Sequence, residues 1–280
     1  MATVVLVPHQ ERAADLAVRA VEWLTGRNHK VRIPTEDASA IGQERWAHEP
    51  QGIGEGAELC VSLGGDGTML RAVDLVVGDA VPVLGVNVGH LGYLTAVEPA
   101  DLTTSLERFF AGDYRIECRM TLDVELEPSG RSATALNEAV VEKTVAGHTI
   151  RLAAAIDGRP FITYAADGLI VATPTGSTAY NLSVRGPIVS PLQRSIIVTP
   201  ASAHMLFDRS LVLNAAESLR LEVIGDDRPA NLVVDGRSLG LLEDGHAIVC
   251  RAGTADARLV TFGDRDFYSI LKAKFGLADR

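Results

Sequence analysis

Cysteine is scarce in this chain: Cys60, Cys118 and Cys250 are its three cysteines, odd in number and far apart. That scatter gives no disulfide framework and no metal-ligand spacing, and the apolar runs around them predict reduced core residues, as in a cytoplasmic protein. No apolar stretch is long enough to span a bilayer. The amino terminus, Met1-Ala2-Thr3-Val4-Val5-Leu6-Val7, enters a strand-like run without a basic segment, so no signal peptide is expected. Positive charge is in deficit. A formal net charge of -10 argues against general binding to nucleic acid or a membrane surface, and leaves room for a local basic cleft that takes a small anion. Internal repeats and low-complexity linkers are also missing. What remains is a globular chain of 280 residues and 47% hydrophobic content, enough for one large domain or two medium ones.

The pattern changes character once along the chain. Up to about residue 118, strand-like runs such as Val4 to Val7, Val31 to Ile33 and Val81 to Val88 alternate with helical patterns. Ala13, Leu16, Ala17, Ala20 and Leu24 fall on one helix face, and Leu102, Leu106, Phe109 and Phe110 on another. This predicts an α/β N-terminal domain with a parallel sheet covered by helices. From Met120 onward strands dominate: Leu122, Val124 and Leu126 alternate with charged residues, and Asp157-Gly158 and Asp235-Gly236 mark hairpin turns. The expected organisation is an α/β domain over 1–118, a β-rich C-terminal domain over 119–261, and a final helix within 262–280. The stripe Phe267, Ile270, Leu271 and Phe275 would return that helix to the first domain. Residues 34–57, polar and glycine-rich, predict a mobile loop.

The run Leu63-Gly64-Gly65-Asp66-Gly67-Thr68 sits between a buried strand pattern, Leu59 to Leu63, and a helical one starting at Thr68. A glycine-rich strand-to-helix turn suits phosphate, because free N–H groups and the positive end of the helix dipole face one space and glycine admits close approach. A carboxylate beside phosphates needs a purpose. Asp66 is either a ligand to a phosphate-bound magnesium ion or the base for an attacking hydroxyl; the plainer alternative is a helix cap. Arg71, a turn further on, is placed to neutralise phosphate charge, unless it is a solvated helix arginine. No Gly-Lys-Thr/Ser follows the turn and no Gly-x-Gly-x-x-Gly fingerprint is present, which excludes a Walker loop and the commoner dinucleotide motif.

A second dense stretch, Asp167-Gly168-Leu169-Ile170-Val171-Ala172-Thr173-Pro174-Thr175-Gly176-Ser177-Thr178-Ala179-Tyr180, runs from a strand into a turn crowded with hydroxyls. Thr175, Ser177 and Thr178 can hydrogen-bond a polar ligand, and Tyr180 can offer a flat face or a hydroxyl to a base. A capped strand-helix junction would have the same composition.

Taken in order with Gly85-Val86-Asn87-Val88-Gly89-His90-Leu91-Gly92-Tyr93-Leu94 and Leu136-Asn137-Glu138, these motifs resemble the NAD kinase family from about residue 59 to the end. The first motif is shared with phosphofructokinases and diacylglycerol-type lipid kinases; the Thr-Pro-Thr-Gly-Ser-Thr-Ala-Tyr block is far more specific. The resemblance implies transfer of the γ-phosphoryl group of ATP, or of polyphosphate, to the 2′-hydroxyl of the adenosine ribose of NAD. It implies Mg2+ with the ATP and a homodimer or homotetramer. Asp66 would be the base and Gly67 would lie against the same ligand, with His90 and Tyr93 near the nucleotide. Asn137 would pair with the adenine and Glu138 with ribose hydroxyls. Ala165, Asp167, Thr175 and the segment Thr178, Ala179, Tyr180, Asn181, Leu182 and Ser183 would line the rest of the dinucleotide site, with His148 and Arg237 at ligand-contacting positions. Three stretches depart from the commoner pattern: Arg185-Gly186-Pro187 in place of Gly-Gly-Pro, Ala203-His204-Met205-Leu206-Phe207 in place of a more polar run, and Arg237 where glutamine is frequent. Arg185 either adds a cation that reaches toward the phosphates or is a surface variation with its side chain in solvent. A lipid kinase shares the glycine turn but should show an acyl-chain cleft, and a non-catalytic dinucleotide sensor has no need of Asp66.

Overall fold

A computed structural model describes residues 1–90, 92–225, 228–263 and 266–277. Leu91 of the glycine-rich segment, and residues 264, 265 and 278–280 of the C-terminal segment, lie outside the described residues. The chain divides into two compact units, residues 1–118 with 257–280, and residues 119–256.

The first unit is built on a seven-stranded sheet, in spatial order Ala47–His48, Lys30–Pro34, Thr3–Pro8, Leu59–Gly64, Val83–Asn87, Ala257–Thr261 and Arg115–Arg119. The pairings from Ala47–His48 through Ala257–Thr261 are parallel. Parallel strands are buried on both faces and therefore read as unbroken apolar runs; Leu59–Gly64 is buried at every position. Helix Ala14–Gly26 covers the sheet with Leu16, Ala17, Ala20, Val21 and Leu24, and helix Leu102–Phe110 with Leu102, Leu106 and Phe109. Each fully buried leucine or valine here contributes ~1.5–3 kcal/mol.

Three expectations need correction in this unit. Residues 34–57 are not one featureless loop: they hold helix Thr35–Ala40, a 3-10 turn Glu44–Trp46 and strand Ala47–His48. Their polar groups make internal bonds, with Arg32 donating to the carbonyls of Ile53 (2.8 Å) and Glu55 (2.7 Å) while Ile53 is fully buried. Strand Ala257–Thr261 joins the parallel sheet beside Val83, so the second boundary falls before residue 257 and not after 261. Alternating burial reads the same for either sheet, and only the long-range pairing distinguishes them. Cys118 is exposed, unlike the buried Cys60 and Cys250, because its strand lies at the sheet edge.

Helix Phe267–Phe275 is opened by a capping box in which the Asp266 carboxylate accepts from the N–H groups of Tyr268 (2.9 Å) and Ser269 (3.1 Å). It buries Ile270, and Phe267 packs toward the Tyr93 ring at 6.4 Å; Phe275, expected in the same stripe, is half exposed.

The second unit consists of two six-stranded antiparallel sheets. One carries Arg159–Ala166, Ile150–Ile156, Leu219–Val223, Ala247–Ala252, Leu122–Glu127 and Arg131–Ala135; the other carries Leu211–Asn214, Ser195–Ala201, Gly168–Ala172, Glu138–Lys143, Ala230–Val234 and Arg237–Leu242. Leu122, Val124, Leu152, Leu221 and Ile248 of the first meet Val141, Leu169, Val171 and Leu232 of the second in one core. Both hairpin turns adopt the left-handed backbone that their sequences suit, with φ of 48° and 73° at Asp157-Gly158 and 45° and 79° at Asp235-Gly236. The outer face of the second sheet, at Val140, Ile170 and Ile197, is covered by Val184 and Val189, which follow the Thr175–Thr178 3-10 turn and the short helix Tyr180–Ser183.

Candidate active site

In the first unit the buried strand Leu59–Gly64 ends where helix Asp66–Val76 begins, with Gly65 as its N-cap. A side chain at Gly64 would put Cβ 2.2 Å from Thr68 Oγ1, so the turn closes only over glycine. Asp66 is not spent on capping its own helix. Its carboxylate accepts the N–H of Tyr93 at 2.9 Å and of Leu94 at 3.0 Å, one on each oxygen, which fixes its plane and leaves further lone pairs. Gly92 makes this possible: a Cβ there would lie 2.2 Å from Asp66 Oδ1. Burial, and then the charge of Asp66, push the Tyr93 phenol upward, and Lys274 Nζ stands 4.5 Å from the centre of that ring.

Beside the turn lies a cleft of about 610 Å³, lined by Gly65, Gly67, Thr68, Arg71 and His90 together with the loop His9, Gln10, Glu11 and Arg12. The N-terminus of an eleven-residue helix and the side chains of Arg12 and Arg71 face this cleft, an arrangement that favours negative charge. Arg71 is neither a solvated helix arginine nor a free charge. Its guanidinium pairs with the buried Asp37 and donates to the Pro8 carbonyl at 3.2 Å, while Gln10 donates to the other Asp37 oxygen at 3.0 Å. The loop 9–12 was missed by motif reading. A signal did exist: it leaves the carboxyl end of Thr3–Pro8, whose Pro8 is level with Leu63, and ligands of open parallel sheets gather at such strand ends.

In the second unit Asn137 immediately precedes strand Glu138–Lys143, which Glu138 opens, and the Thr-Pro-Thr-Gly turn packs directly on them. Thr173 N–H donates to the Asn137 carbonyl at 2.8 Å and its hydroxyl bonds the Leu136 carbonyl at 2.5 Å. A Cβ at Gly176 would fall 2.1 Å from the Asn137 carbonyl oxygen. Glu138 is 8% exposed and its Oε2 has no partner. Burial, then the nearby Asp235 charge, push its carboxyl up to about 8 against the opposing N–H of Tyr180. Asp235, legible in the sequence only as a turn residue, accepts the N–H groups of Leu136 (2.7 Å), Asn137 (2.9 Å) and Glu138 (3.0 Å).

At the other end of that strand Asp167 pairs with Lys143 at 2.7 Å and faces His204 Nε2 at 3.5 Å, and Lys143 holds its carboxyl below the usual range. Ala165 accepts the His204 N–H through its carbonyl. Among the hydroxyls, Thr178 is partly exposed, whereas Thr175 accepts from the buried Arg119 at 3.4 Å and Ser177 is bonded to both the N–H and the carbonyl of Val189. Tyr180 is 40% exposed, and Ala179, Leu182 and Ser183 surround it in sequence at partly or fully exposed positions. Asn181 does not offer its side chain to a ligand: it is fully buried, donates to Ser177 and Pro187 carbonyls, and accepts from Thr199 at 2.7 Å. His148 contacts the Arg228 guanidinium on the exposed 144–149 segment, and Arg237 is exposed next to Asp235. Arg185 sits at φ 68°, the left-handed region that favours glycine, and lines a small pocket with Thr199, Ser202 and Arg209.

Comparison with known proteins agrees along the chain. Residues 3–114 match the ATP-NAD kinase N-terminal domain and residues 136–262 the ATP-NAD kinase C-terminal domain. The chain is 41% identical over 266 residues to the NAD kinase of Moorella thermoacetica, covering 94% of this chain and 85% of that protein. It is 40% identical over 274 residues to the NAD kinase of Heliobacterium modesticaldum, covering 97% and 96%. Its fold matches the crystal structure of yeast NADH kinase complexed with NADH at a TM-score of 0.92 and 24% identity, over 100% of this chain and 89% of that one. With each half matched separately and relatives this similar over almost their whole length, the chain belongs to the NAD kinase family.

Proposed function

We propose that this NAD kinase family member phosphorylates the 2′-hydroxyl of the adenosine ribose of NAD from ATP, with Asp66 as the base. The observation that carries this reading is the Asp66 carboxylate itself, held by two backbone amides next to the cleft-lining Gly65 and Gly67 and, among the described residues, bonded to no other group. A secondary alcohol is a poor nucleophile at neutral pH. A carboxylate oriented before substrate arrives can take its proton as the loose phosphoryl-transfer transition state develops, a contribution of ~10²- to 10⁴-fold in rate.

The cleft beside Gly65 and Gly67 takes the donor phosphates, with Arg12 as a cation, the Asp37-paired Arg71 as a further N–H donor, and polyphosphate as a donor of the same chemistry. Among the described residues no three His, Cys, Asp or Glu side chains gather to hold a metal ion, and Glu11 is the one carboxylate in the cleft lining. That nitrogen-rich lining suits phosphates that bring their own Mg2+, so the ion is part of the Mg·ATP substrate. Asn137 and Glu138 receive the adenosine, the unpartnered Glu138 Oε2 being an acceptor for ribose hydroxyls, and Asp167, Ala165, Thr178 and Tyr180 line the remainder. Asn181 contributes by shaping this segment from within. The cytoplasmic homodimer or homotetramer rests on the family resemblance and is checked by gel filtration. Incubation with ATP, Mg2+ and NAD, with NADP read by a coupled dehydrogenase, tests the proposal. Absence of NADP together with phosphorylation of a diacylglycerol would replace it with the lipid-kinase reading.

A further inference from the structure

We propose that Asp235 is a positioning residue for the dinucleotide acceptor, clamping the backbone of Leu136, Asn137 and Glu138 so that the two recognition side chains are presented in one fixed geometry. This rests on the reading of Asn137 and Glu138 as acceptor contacts.

The clamp is a closed set of bonds. Asp235 Oδ1 accepts the N–H groups of Asn137 and Glu138, Oδ2 accepts that of Leu136, and the Asp235 N–H returns a bond to the Glu138 carbonyl at 3.0 Å. A turn aspartate ordinarily bonds its own turn. This one instead reaches residues 97 to 99 positions away, at the start of the neighbouring strand, where Val234 is level with Ala139.

The choice of residue supports a role beyond the turn. At φ 45° asparagine or glycine would satisfy the hairpin with no charge to desolvate. Burial pushes the Asp235 carboxyl above its ordinary value, and the three N–H bonds and the Arg237 charge oppose that rise only in part. Asparagine could not replace it there, since its amide would turn an NH2 toward one of the three donors. The clamp also places a negative charge against Glu138, which accepts the Tyr180 N–H and lies level with Ala172; among the described residues Asp235 is the charged group acting on it directly. Removing the clamp therefore frees the segment and eases ionisation of Glu138 together, and the second effect is one a merely structural residue would not have.

The test uses the full chain, with NAD and ATP varied separately over a range of pH. Asp235→Gly keeps the left-handed turn and deletes the clamp; Asp235→Asn is measured beside it and serves if the glycine variant does not fold. The expected result is a KM for NAD raised about tenfold or more, the size of one lost charge-assisted hydrogen bond. KM for ATP should be unmoved, and the pH midpoint of the NAD dependence should fall below about 8. In a Glu138→Gln background the same change should move no pH midpoint. An unaltered KM for NAD and midpoint in the Asp235 variants, with Asn137→Ala raising KM, overturns the clamp alone. An unaltered KM for NAD in Asn137→Ala and Glu138→Gln as well overturns the acceptor reading and the clamp with it.

Discussion

Replacing Gly92 by alanine adds one methyl group and should remove most of the catalytic power. The new Cβ would stand 2.2 Å from Asp66 Oδ1, 3.0 Å from its Cγ and 2.9 Å from Thr95 Oγ1. Gly92 is buried, and its φ lies outside the left-handed range, so alanine suits the backbone and the penalty falls on the carboxylate. Asp66 must retreat by roughly an ångström, breaking at least one of the amide bonds from Tyr93 and Leu94, and a displacement of that size at a reacting group costs ~10²-fold in rate. The assay is steady-state NADP formation with both substrates saturating, alongside the NAD dependence. The expected outcome is a kcat lower by ~10²-fold with KM for NAD within about a factor of two, because the acceptor contacts lie elsewhere in the chain. A kcat within about threefold of the parent would refute the idea that a pinned carboxylate limits the reaction.

Further outcomes follow from other parts of the structure. Burial pushes the Glu138 carboxyl up to about 8, and on the acceptor reading its ionised form accepts ribose hydroxyls more strongly than its protonated form, so NAD affinity should rise with pH toward about 8, by at most ~tenfold per unit, and level off above it. Glu138→Gln should flatten that slope in calorimetric titrations; an unchanged slope assigns it to another group. The same shift acts on folding: the native state keeps a proton that the unfolded chain releases near 4.5, so this group's contribution to stability declines as pH climbs from 4.5 to about 8, which urea titrations across that window can follow. Arg185→Gly relieves a left-handed backbone at φ 68° and should stabilise the protein by about 1 kcal/mol in urea titrations; a loss of stability means that the arginine holds something in place. If its guanidinium serves the phosphates, KM for the donor rises in the same variant and the rise shrinks with salt.

Much of this molecule can be read from its residues, for reasons particular to each part. The glycine turn at 64–67 is legible because steric demand, helix start and carboxylate fall within a few residues, and the Asp157-Gly158 and Asp235-Gly236 turns because a left-handed backbone limits the residues that fit. Leu16, Leu24, Leu106 and Phe109 appear in periodicity because helices bury one face. What local pattern cannot carry is separation in sequence. The return of Ala257–Thr261 to the parallel sheet, the Arg71 to Asp37 pair and the bonds from Asp235 to Leu136 and Asn137 join residues from 34 to more than 170 positions apart. Gly92 is the sharpest case, since its importance is a volume reserved for the Asp66 carboxylate. Asn181 errs in the other direction: its motif points to a ligand, and its amide is spent inside the protein on Ser177, Pro187 and Thr199.

The central claim is that Asp66 takes the proton of the acceptor hydroxyl, and Asp66→Asn tests it most directly. The amide keeps the shape of the carboxylate and an oxygen for one backbone N–H, yet cannot accept a proton. Single-turnover and steady-state rates, measured with NAD affinity and Mg2+ dependence on the same preparation, should show turnover reduced ~10²- to 10⁴-fold, NAD affinity nearly intact and an unchanged Mg2+ requirement. Turnover near the parent rate, or a loss restored by raising Mg2+, would contradict it.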